Sequence, residues 1–312
     1  MTNKEKYILL CEHEKIPLHA QAWWMEAVSH GKRWDSIVVE SKEDGHILAA
    51  MPYHISHRFG IRRILMPVHT QYSSIYLAPD APSNIEKLFA EQLDHTCKNE
   101  RVLWCYLQGF YPTNIRKELH NYGFVVNQRV TYCIHHIHSN EEELLNIFSQ
   151  NKRRQLRKAK ELRITELSAE TFYRFHSNCL KQRGKRIDYS EQWAKNVINE
   201  ALNRKQGVVL SAYYKNDEIA AAVFLAWDAK TCYYLLPTYN YNYKDSGAMA
   251  WLTKEAILLA HNKGLSFDFE GSMTPSIASS YKQFGGMPTH YFSVEKYYIP
   301  LPKTIIRWIN NR

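Results

Sequence analysis

The chain has 312 residues, of which 45% are apolar and 23% are charged, so it can bury a core and lies outside the composition range of disordered proteins. The length suits two domains of roughly 150 residues each. The longest stretch without a charged side chain, residues 64–79, is shorter than the roughly 20 apolar residues of a membrane-spanning helix. The N-terminus also has no signal-peptide pattern. We therefore expect a soluble, cytoplasmic protein.

Cysteine and histidine give no sign of a metal site. The six cysteines form no CxxC pair and no zinc-ligand spacing, so in a chain without an export signal we expect them to be reduced core residues. The densest histidine group is His135, His136 and His138. Strand alternation would place His135 on the face opposite the other two. We expect neither disulfides nor a bound metal.

The net charge of +9 is unevenly distributed. Residues 1–150 carry a net charge of −2 and residues 151–312 carry +11. Much of the excess lies in residues 151–163, which contain seven basic residues and one acidic residue. A basic run of this kind attracts phosphate groups, although a solvated helix face is the alternative interpretation.

The basic run has the spacing of an amphipathic helix. Arg153, Arg157 and Lys160 would line one side, while Leu156 and Ala159 would face the core. The cations have no acidic partners at helical spacing, so they repel one another instead of forming ion pairs. This favours an anion-binding role, without identifying the anion.

In chain order, the first half reads as strands followed by alternating helices and strands, based on β-branched and aromatic runs, turn residues and helix caps. The predicted strands are residues 37–40, 46–55, a region within 63–77, 102–107 and 130–137, and the predicted helices are 83–98 and 113–121.

A basic linker helix is predicted over residues 141–162, and the second half then repeats this order. Its helices are predicted at 168–183, 190–204, 248–262 and 277–284, and its strands at 207–215, 219–227, 231–238, 266–269 and 290–297.

Matching landmarks recur at a nearly constant separation. The strand at 102 corresponds to that at 266, and the helix-ending Gly123 corresponds to Gly285. A period near 160 residues over two matched strings of elements indicates tandem copies of one fold. We predict domains at residues 1–140 and 141–312.

Three segments carry a resemblance to a known family. They are the basic residues 151–160, the strand and loop 267–271 (FDFEG), and residues 281–286 (YKQFGG). The element order resembles the GNAT acyltransferase fold, and its duplication resembles the Fem family (FemAB-like) of aminoacyl and peptidyl transferases. The resemblance implies an α/β (α+β) fold with two tandem GNAT-like domains, each a mixed, mostly antiparallel sheet flanked by helices.

By this resemblance, the chain is an acyltransferase that moves an acyl or aminoacyl group to an amine. The implied co-substrate is an acyl-coenzyme A or an aminoacyl-tRNA, with no tightly bound cofactor. A cell-wall precursor is an acceptor to consider, and tRNA and the inner membrane surface are further partners to test. The alternative hypothesis is a non-catalytic protein that binds RNA or an anionic membrane through the basic run.

Acyl transfer needs a donor cradle, a group that stabilises the oxyanion, and a base for the amine proton. The start of the helix at 248 offers N–H groups to a phosphate, with an ordinary serine cap as the alternative interpretation. Lys282 resembles the lysine that the Fem pattern places beside the reacting groups. The predicted catalytic residues are Lys282, Tyr281, Glu270 and Asp268, the donor-binding residues are Ser246, Gly247, Ala248, Met249, Arg153, Arg154 and Arg157, and the acceptor-binding residues are Arg183 and Tyr239.

The two carboxylates have open interpretations. Asp268 and Glu270 occupy alternate positions as the chain leaves a short strand, so they would point the same way. One of them could take the amine proton, or they could hold the loop through backbone hydrogen bonds.

Overall fold

The computed structural model describes residues 1–29, 33–58, 60–109, 113–135, 140–159, 162–214, 217–271 and 273–298. The chain divides into two compact units. Unit 1 comprises Met1–Arg129 together with the segment that begins at Tyr291, and unit 2 comprises Val130–His290. The boundary predicted from the sequence lies between residues 140 and 141.

Unit 1 begins with two helices and continues with strands and helices in the predicted order. Its elements are α1 (Asn3–His13), a 3₁₀ helix (Leu18–Ala20), α2 (Ala22–Ser29), β1 (Trp34–Glu40), β2 (Ile47–Arg58), β3 (Ile61–Leu65), β4 (Tyr76–Leu77), α3 (Ile85–Asn99), β5 (Val102–Gly109) and α4 (Thr113–Asn121), and it shares β6 (Val125–Ile134) and β12 (Met287–Tyr297) with unit 2.

The sheet of unit 1 has the strand order β1-β2-β3-β5-β12, with β4 paired to β2. All of these pairings are antiparallel except that of β3 with β5, which is parallel. Helix α3 buries Phe89, Leu93 and Cys97 in a core that also contains Ile64 and Cys105 of the sheet. This packing fixes the sheet and leaves a mostly polar outer helix face.

Unit 2 contains the basic region and the second run of elements. These are α5 (Glu141–Ile147), α6 (Gln150–Lys158), β7 (Arg163–Glu166), α7 (Ala169–Gln182), α8 (Glu191–Asn203), β8 (Gly207–Tyr213), β9 (Ile219–Trp227), β10 (Thr231–Tyr239), a 3₁₀ helix (Tyr241–Tyr243), α9 (Ala248–Asn262), β11 (Ser266–Asp268) and α10 (Pro275–Lys282).

The sheet of unit 2 has the strand order β6-β11-β10-β9-β8-β7. Only β10 and β11 pair in parallel, and the other pairings are antiparallel. The runs of apolar residues in β8 and β9 are buried, as expected for strands covered on both faces. The mixed, mostly antiparallel sheets flanked by helices confirm the predicted fold class.

Two predicted helices have different bounds in the structure. The segment 141–162 was predicted as one helix, and this is wrong: Phe148 is extended and ends α5, while Ser149 caps α6 by accepting the N–H of Lys152. The backbone N–H of Ser149 donates to the carbonyl of Gln283, so a tertiary contact holds the break. Helix α10 starts two residues earlier than predicted because Pro275 suits the first turn.

Some predicted features lie outside the described residues, namely His136, His138 and Lys160. Within the described ranges, no helix combines the length and the apolar character that crossing a membrane requires.

Candidate functional site

Strands β10 and β11 of unit 2 diverge and leave a notch between them. They pair only where Thr231–Tyr233 face Ser266–Asp268, and β10 then continues alone on this side to Tyr239. The chain after β11 turns to β6 instead, where the N–H of Phe269 donates to the carbonyl of Tyr132 (3.0 Å). Crevices at the carboxyl ends of parallel strands are common ligand sites in α/β folds.

The far end of β10 is irregular. Its register with β9 shifts between Leu235 and Thr238, and Leu236 adopts a positive φ of 52°. A bulge of this kind bends the strand and changes the direction of its side chains and amides. The bend lies in the part of β10 that no longer pairs with β11.

Asp268 closes the base of the notch and holds the loop that follows. Its side chain is 2% exposed, and Oδ1 accepts the hydroxyl of Thr131 (2.6 Å) and the N–H of Glu270 (2.8 Å). Glu270 adopts a left-handed φ of 63°, which is costly for a residue with a Cβ and needs such support. Asp268 therefore holds the loop through a backbone hydrogen bond, as one of the two interpretations proposed.

Glu270 is the carboxylate with an unusual environment. The residue is partly exposed, but its Oε1 is buried. Loss of hydration raises the pKa of the Glu270 carboxyl well above its ordinary 4.5, and the negative charge of Asp268 raises it further. A carboxylate with a raised pKa is a stronger base, which suits accepting the proton that an amine loses.

Tyr281 of α10 lies beside this carboxylate. Its ring stacks on Phe269 with 4.4 Å between centroids and 21° between planes. Burial raises the pKa of Tyr281 to about 12, with further contributions from the charges of Glu270 and Asp268. The hydroxyl therefore stays protonated at neutral pH and can donate a hydrogen bond to a developing oxyanion.

Lys282 is more exposed than the preceding residue, Tyr281. Its side chain is exposed, and Nζ lies 5.7 Å from the ring centroid of Tyr132 on β6. Tyr132 also contacts the ring of Tyr281 (6.2 Å between centroids). The structure therefore brings Glu270, Tyr281 and Lys282 together around the loop after β11.

The start of α9 is a less open site than the sequence suggests. Ser246 Oγ accepts the N–H of Ala248 (3.2 Å) and donates to the carbonyl of Tyr243. Gly247 adopts a φ of 81°, and a Cβ at this position would lie 2.2 Å from the carbonyl oxygen of Gln155. This glycine therefore permits the close approach of α6 to α9.

Two N–H groups remain at the start of α9. In the part of the chain that the structure describes, the amides of Met249 and Ala250 have no protein acceptor, whereas that of Trp251 bonds to Gly247. Free N–H groups and the positive end of the helix dipole favour an anion.

The basic helix α6 presents its arginines to solvent as predicted. Arg154 and Arg157 are exposed and Arg153 is half-buried, while Leu156 and Ala159 are buried. Among the described residues, no carboxylate forms an ion pair with any of the three arginines. Their charge is available to an anionic ligand.

Lys152 is the residue of this helix that the sequence analysis missed. It is 8% exposed, and its Nζ donates to Ser280 Oγ of α10 (2.9 Å) and lies 4.5 Å from the ring centroid of Phe284. Burial lowers the pKa of Lys152 to about 8. Its spacing from Leu156 and Ala159 places it on the apolar face, and this periodicity could have identified it.

The two predicted acceptor-binding residues meet at the end of β10. The guanidinium of Arg183 lies 4.9 Å from the ring centroid of Tyr239, and its NH2 group is 3.4 Å from Thr238 Oγ1. Both side chains are partly exposed, so they can contact a ligand. No cluster of three His, Cys, Asp or Glu suited to a metal ion occurs among the described residues.

Residues 148–283 match a protein-family model described as an acetyltransferase (GNAT) domain. This range contains α6, the notch and α10. A comparison with curated protein sequences found no match.

Several solved structures share the fold over nearly the whole chain. FemX matches with a TM-score of 0.68 and 13% identity, over 100% of this chain and 99% of FemX. L-PGS from Bacillus licheniformis matches with a TM-score of 0.60 and 11% identity, over 99% of this chain and 97% of L-PGS. A tandem GNAT protein from the clavulanic acid biosynthesis pathway matches with a TM-score of 0.56 and 9% identity, over 96% of this chain and 94% of that protein.

At these identities the structural matches establish the fold, and the family match locates the domain within it. Residues 148–283 thus match a GNAT acetyltransferase domain, within a chain that has a Fem-like fold.

Proposed function

We propose that unit 2 transfers an acyl or aminoacyl group from a phosphate-bearing donor to an amine. The observation that supports this proposal best is Glu270, whose carboxyl has a raised pKa and whose left-handed backbone is held by Asp268 at the carboxyl end of β11. The GNAT domain match supports a transferase.

The donor is an acyl-coenzyme A or an aminoacyl-tRNA, both of which carry phosphates. The amides of Met249 and Ala250 receive a phosphate at the start of α9, and the arginines of α6 add positive charge. The packing of Gly247 against α6 holds these two elements together. The acyl carbonyl then extends along the notch towards the loop after β11.

The reaction follows from the groups around the loop. The nitrogen lone pair of the amine attacks the carbonyl carbon, and Glu270 takes the proton that the nitrogen loses. The oxyanion of the tetrahedral intermediate is stabilised by the hydroxyl of Tyr281 and the ammonium of Lys282. The intermediate collapses by breaking the bond to the donor sulfur or oxygen, and this leaving group receives the proton from Glu270.

The acceptor amine belongs to a larger molecule that contacts Arg183 and Tyr239 at the end of β10. A planar guanidinium beside an aromatic ring suits a carboxylate or phosphate on a substrate with a flat or sugar-like group. A cell-wall precursor carries such groups and is the first acceptor class to test.

The test is transfer of a labelled acyl group to a panel of amines by wild type, Glu270→Gln and the matched control Glu166→Gln, which changes an exposed carboxylate on β7. We expect Glu270→Gln to lower the rate about 10²-fold or more, and the control to retain full rate.

The wild-type rate should also fall as the pH drops through the raised pKa of Glu270, because the protonated carboxyl is no longer a base. If Glu270→Gln keeps the wild-type rate and pH profile, Glu270 is not the base and the proposal fails.

A further inference from the structure

Exposed apolar side chains concentrate at α10. Met273 is 59% exposed, Ile277 43% and Met287 62%, although most large apolar residues of unit 2 are buried. Scattered exposed apolar residues need no explanation, but a group on one element indicates an interaction surface.

The three residues belong to one short stretch of structure. Met273 precedes the first turn of α10 and Ile277 lies one turn later. At the other end, the N–H groups of Gly285 and Gly286 bond to the carbonyls of Lys282 and Tyr281, so the chain turns tightly and Met287 follows at once.

Helix α6 adds positive charge next to α10. Asn151 Nδ2 donates to Gln283 Oε1 (2.9 Å), and Arg154 and Lys158 lie three and seven residues after Asn151, on the same helix face. Both cations are exposed. We name Met273, Ile277, Met287, Arg154 and Lys158 together the α10 surface.

The two segments that form this surface contain no carboxylate, and the exposed Glu142 and Glu143 precede them on α5. Residues 144–159 and 271–290 together contain six Lys and Arg residues and no Asp or Glu. Within the described residues, Arg154 and Lys158 form no ion pair. The α10 surface therefore combines apolar side chains with unbalanced positive charge.

We propose that the α10 surface docks on an anionic lipid membrane. The apolar side chains enter the headgroup boundary, and the cations pair with lipid phosphates, as in other interfacial elements. A protein partner would need an apolar face and carboxylates placed opposite these particular cations, whereas an anionic bilayer offers apolar depth and phosphates at every point of its surface. This proposal does not depend on the proposed transferase reaction.

The experiment is sedimentation of the full-length chain with vesicles of phosphatidylglycerol and phosphatidylcholine, or of phosphatidylcholine alone. We expect binding only to the anionic vesicles, weakened by salt. The variant Met273→Ser/Ile277→Ser/Met287→Ser should bind at least about tenfold more weakly. The matched control Val125→Ser, at an exposed apolar residue of β6 (59% exposed), should bind as wild type.

A second pair of variants tests the charge. Arg154→Glu/Lys158→Glu should also lose binding, whereas Lys185→Glu/Arg186→Glu, which makes the same change in net charge after α7, should retain it. Circular dichroism checks that each variant is folded.

Three results would overturn the proposal. The first is a wild-type protein that does not bind anionic vesicles at low salt. The second is binding that survives the triple serine change, which would leave charge alone as the cause. The third is a wild-type dimer that dissociates in the triple variant without any vesicle binding, which would make this face a contact between copies.

Discussion

Each unit contains one pair of parallel strands, and the two pairs differ in which strand extends beyond the last paired residues. In unit 1, β3 ends one residue after its last partner on β5, and β5 runs on to Gly109. In unit 2, β11 ends at its last partner and β10 runs on for six residues. The unpaired side of the longer strand, β5 in unit 1 and β10 in unit 2, is therefore bordered by different parts of the chain in the two units.

In unit 1 the chain after β3 fills that space. The N–H of Gln108 donates to Met66 Sδ (3.4 Å), and the N–H of Ser73 donates to the carbonyl of Gln108. In unit 2 the chain after β10 turns towards β8 and β9 instead, where Asn240 bonds to Ala220 and the ring of Tyr243 stacks on Tyr214.

One element order can therefore give a parallel pair that the following chain covers, in unit 1, and a pair whose longer strand has no β11 partner beyond Tyr233, in unit 2. Unit 2 also has the carboxylate with the raised pKa and the basic helix. We therefore place the proposed donor site in unit 2 and regard unit 1 as a scaffold at the corresponding position.

The largest expected effect comes from breaking the contact between α6 and α9. Gly247→Ala places a Cβ against the carbonyl oxygen of Gln155 and strains a left-handed residue, so we expect a loss of about 3 kcal/mol or more in the free energy of unfolding. The control is Gly264→Ala at the other end of α9, where φ is 70° and no atom lies within 4 Å of the new Cβ. It should cost about 1 kcal/mol. Equal losses in urea unfolding would show that the helices do not meet as described.

A second effect concerns the two buried lysines of unit 2. Lys254 bonds to Glu141 and Glu255, which outweigh the opposing effect of burial and raise its pKa, whereas Lys152 has neutral partners and a pKa of about 8. The ordinary value of 10.5 holds in the unfolded chain, which therefore binds more protons between pH 8 and 10.5. The contribution of Lys152 to the free energy of unfolding thus rises with pH across this window, by on the order of 3 kcal/mol.

Lys152→Met should therefore be more stable than wild type below about pH 8, and this advantage should disappear as the pH approaches 10.5. Lys254→Met should be less stable near neutral pH because it leaves two carboxylates without their cation. Urea unfolding at several pH values measures both, and a gain that does not depend on pH would contradict the assigned cause.

A third effect separates catalysis from stability in unit 2. Lys282→Ala should lower the transfer rate more than about tenfold, equivalent to roughly 1.4 kcal/mol in the barrier, while the melting temperature stays unchanged because Lys282 is exposed. Lys181→Ala, at another exposed lysine, should leave the rate unchanged. Unchanged turnover in Lys282→Ala would remove this residue from the proposed mechanism.

The smallest effect is expected in unit 1. Met66→Ala removes the partner of the Gln108 N–H, so stability should fall by about 1 kcal/mol while the transfer rate and the donor affinity remain as in wild type. A lower donor affinity would show that unit 1 also takes part in donor binding.

Much of the fold could be predicted because its signals are local. The apolar runs of β8 to β10, the turns between them and Gly264 after α9 define the meander and the next helix. Helix α1 was missed although Thr2 and Glu5 form a capping box, which is readable from sequence. Strand β7 could not be predicted, since four residues form a strand only through pairing with β8.

The candidate site was only partly predictable. Its residue types could be read from the sequence, but the pKa of Glu270 is raised by burial and by the charge of Asp268. Asp268 in turn accepts a hydrogen bond from Thr131, which lies 137 residues earlier in the chain. The close approach at Gly247 depends likewise on Gln155 of another helix. Such tertiary contacts leave no local pattern.

Hydrogen–deuterium exchange with coenzyme A and, separately, with an aminoacyl-tRNA tests the central claim most directly, because it shows which unit holds the donor. We predict protection at residues 245–251 and 234–239 of unit 2 with one of these ligands, and no change at residues 66–75 of unit 1. Protection confined to unit 1, or none in unit 2 with either ligand, would contradict the assignment of the donor site to the open notch.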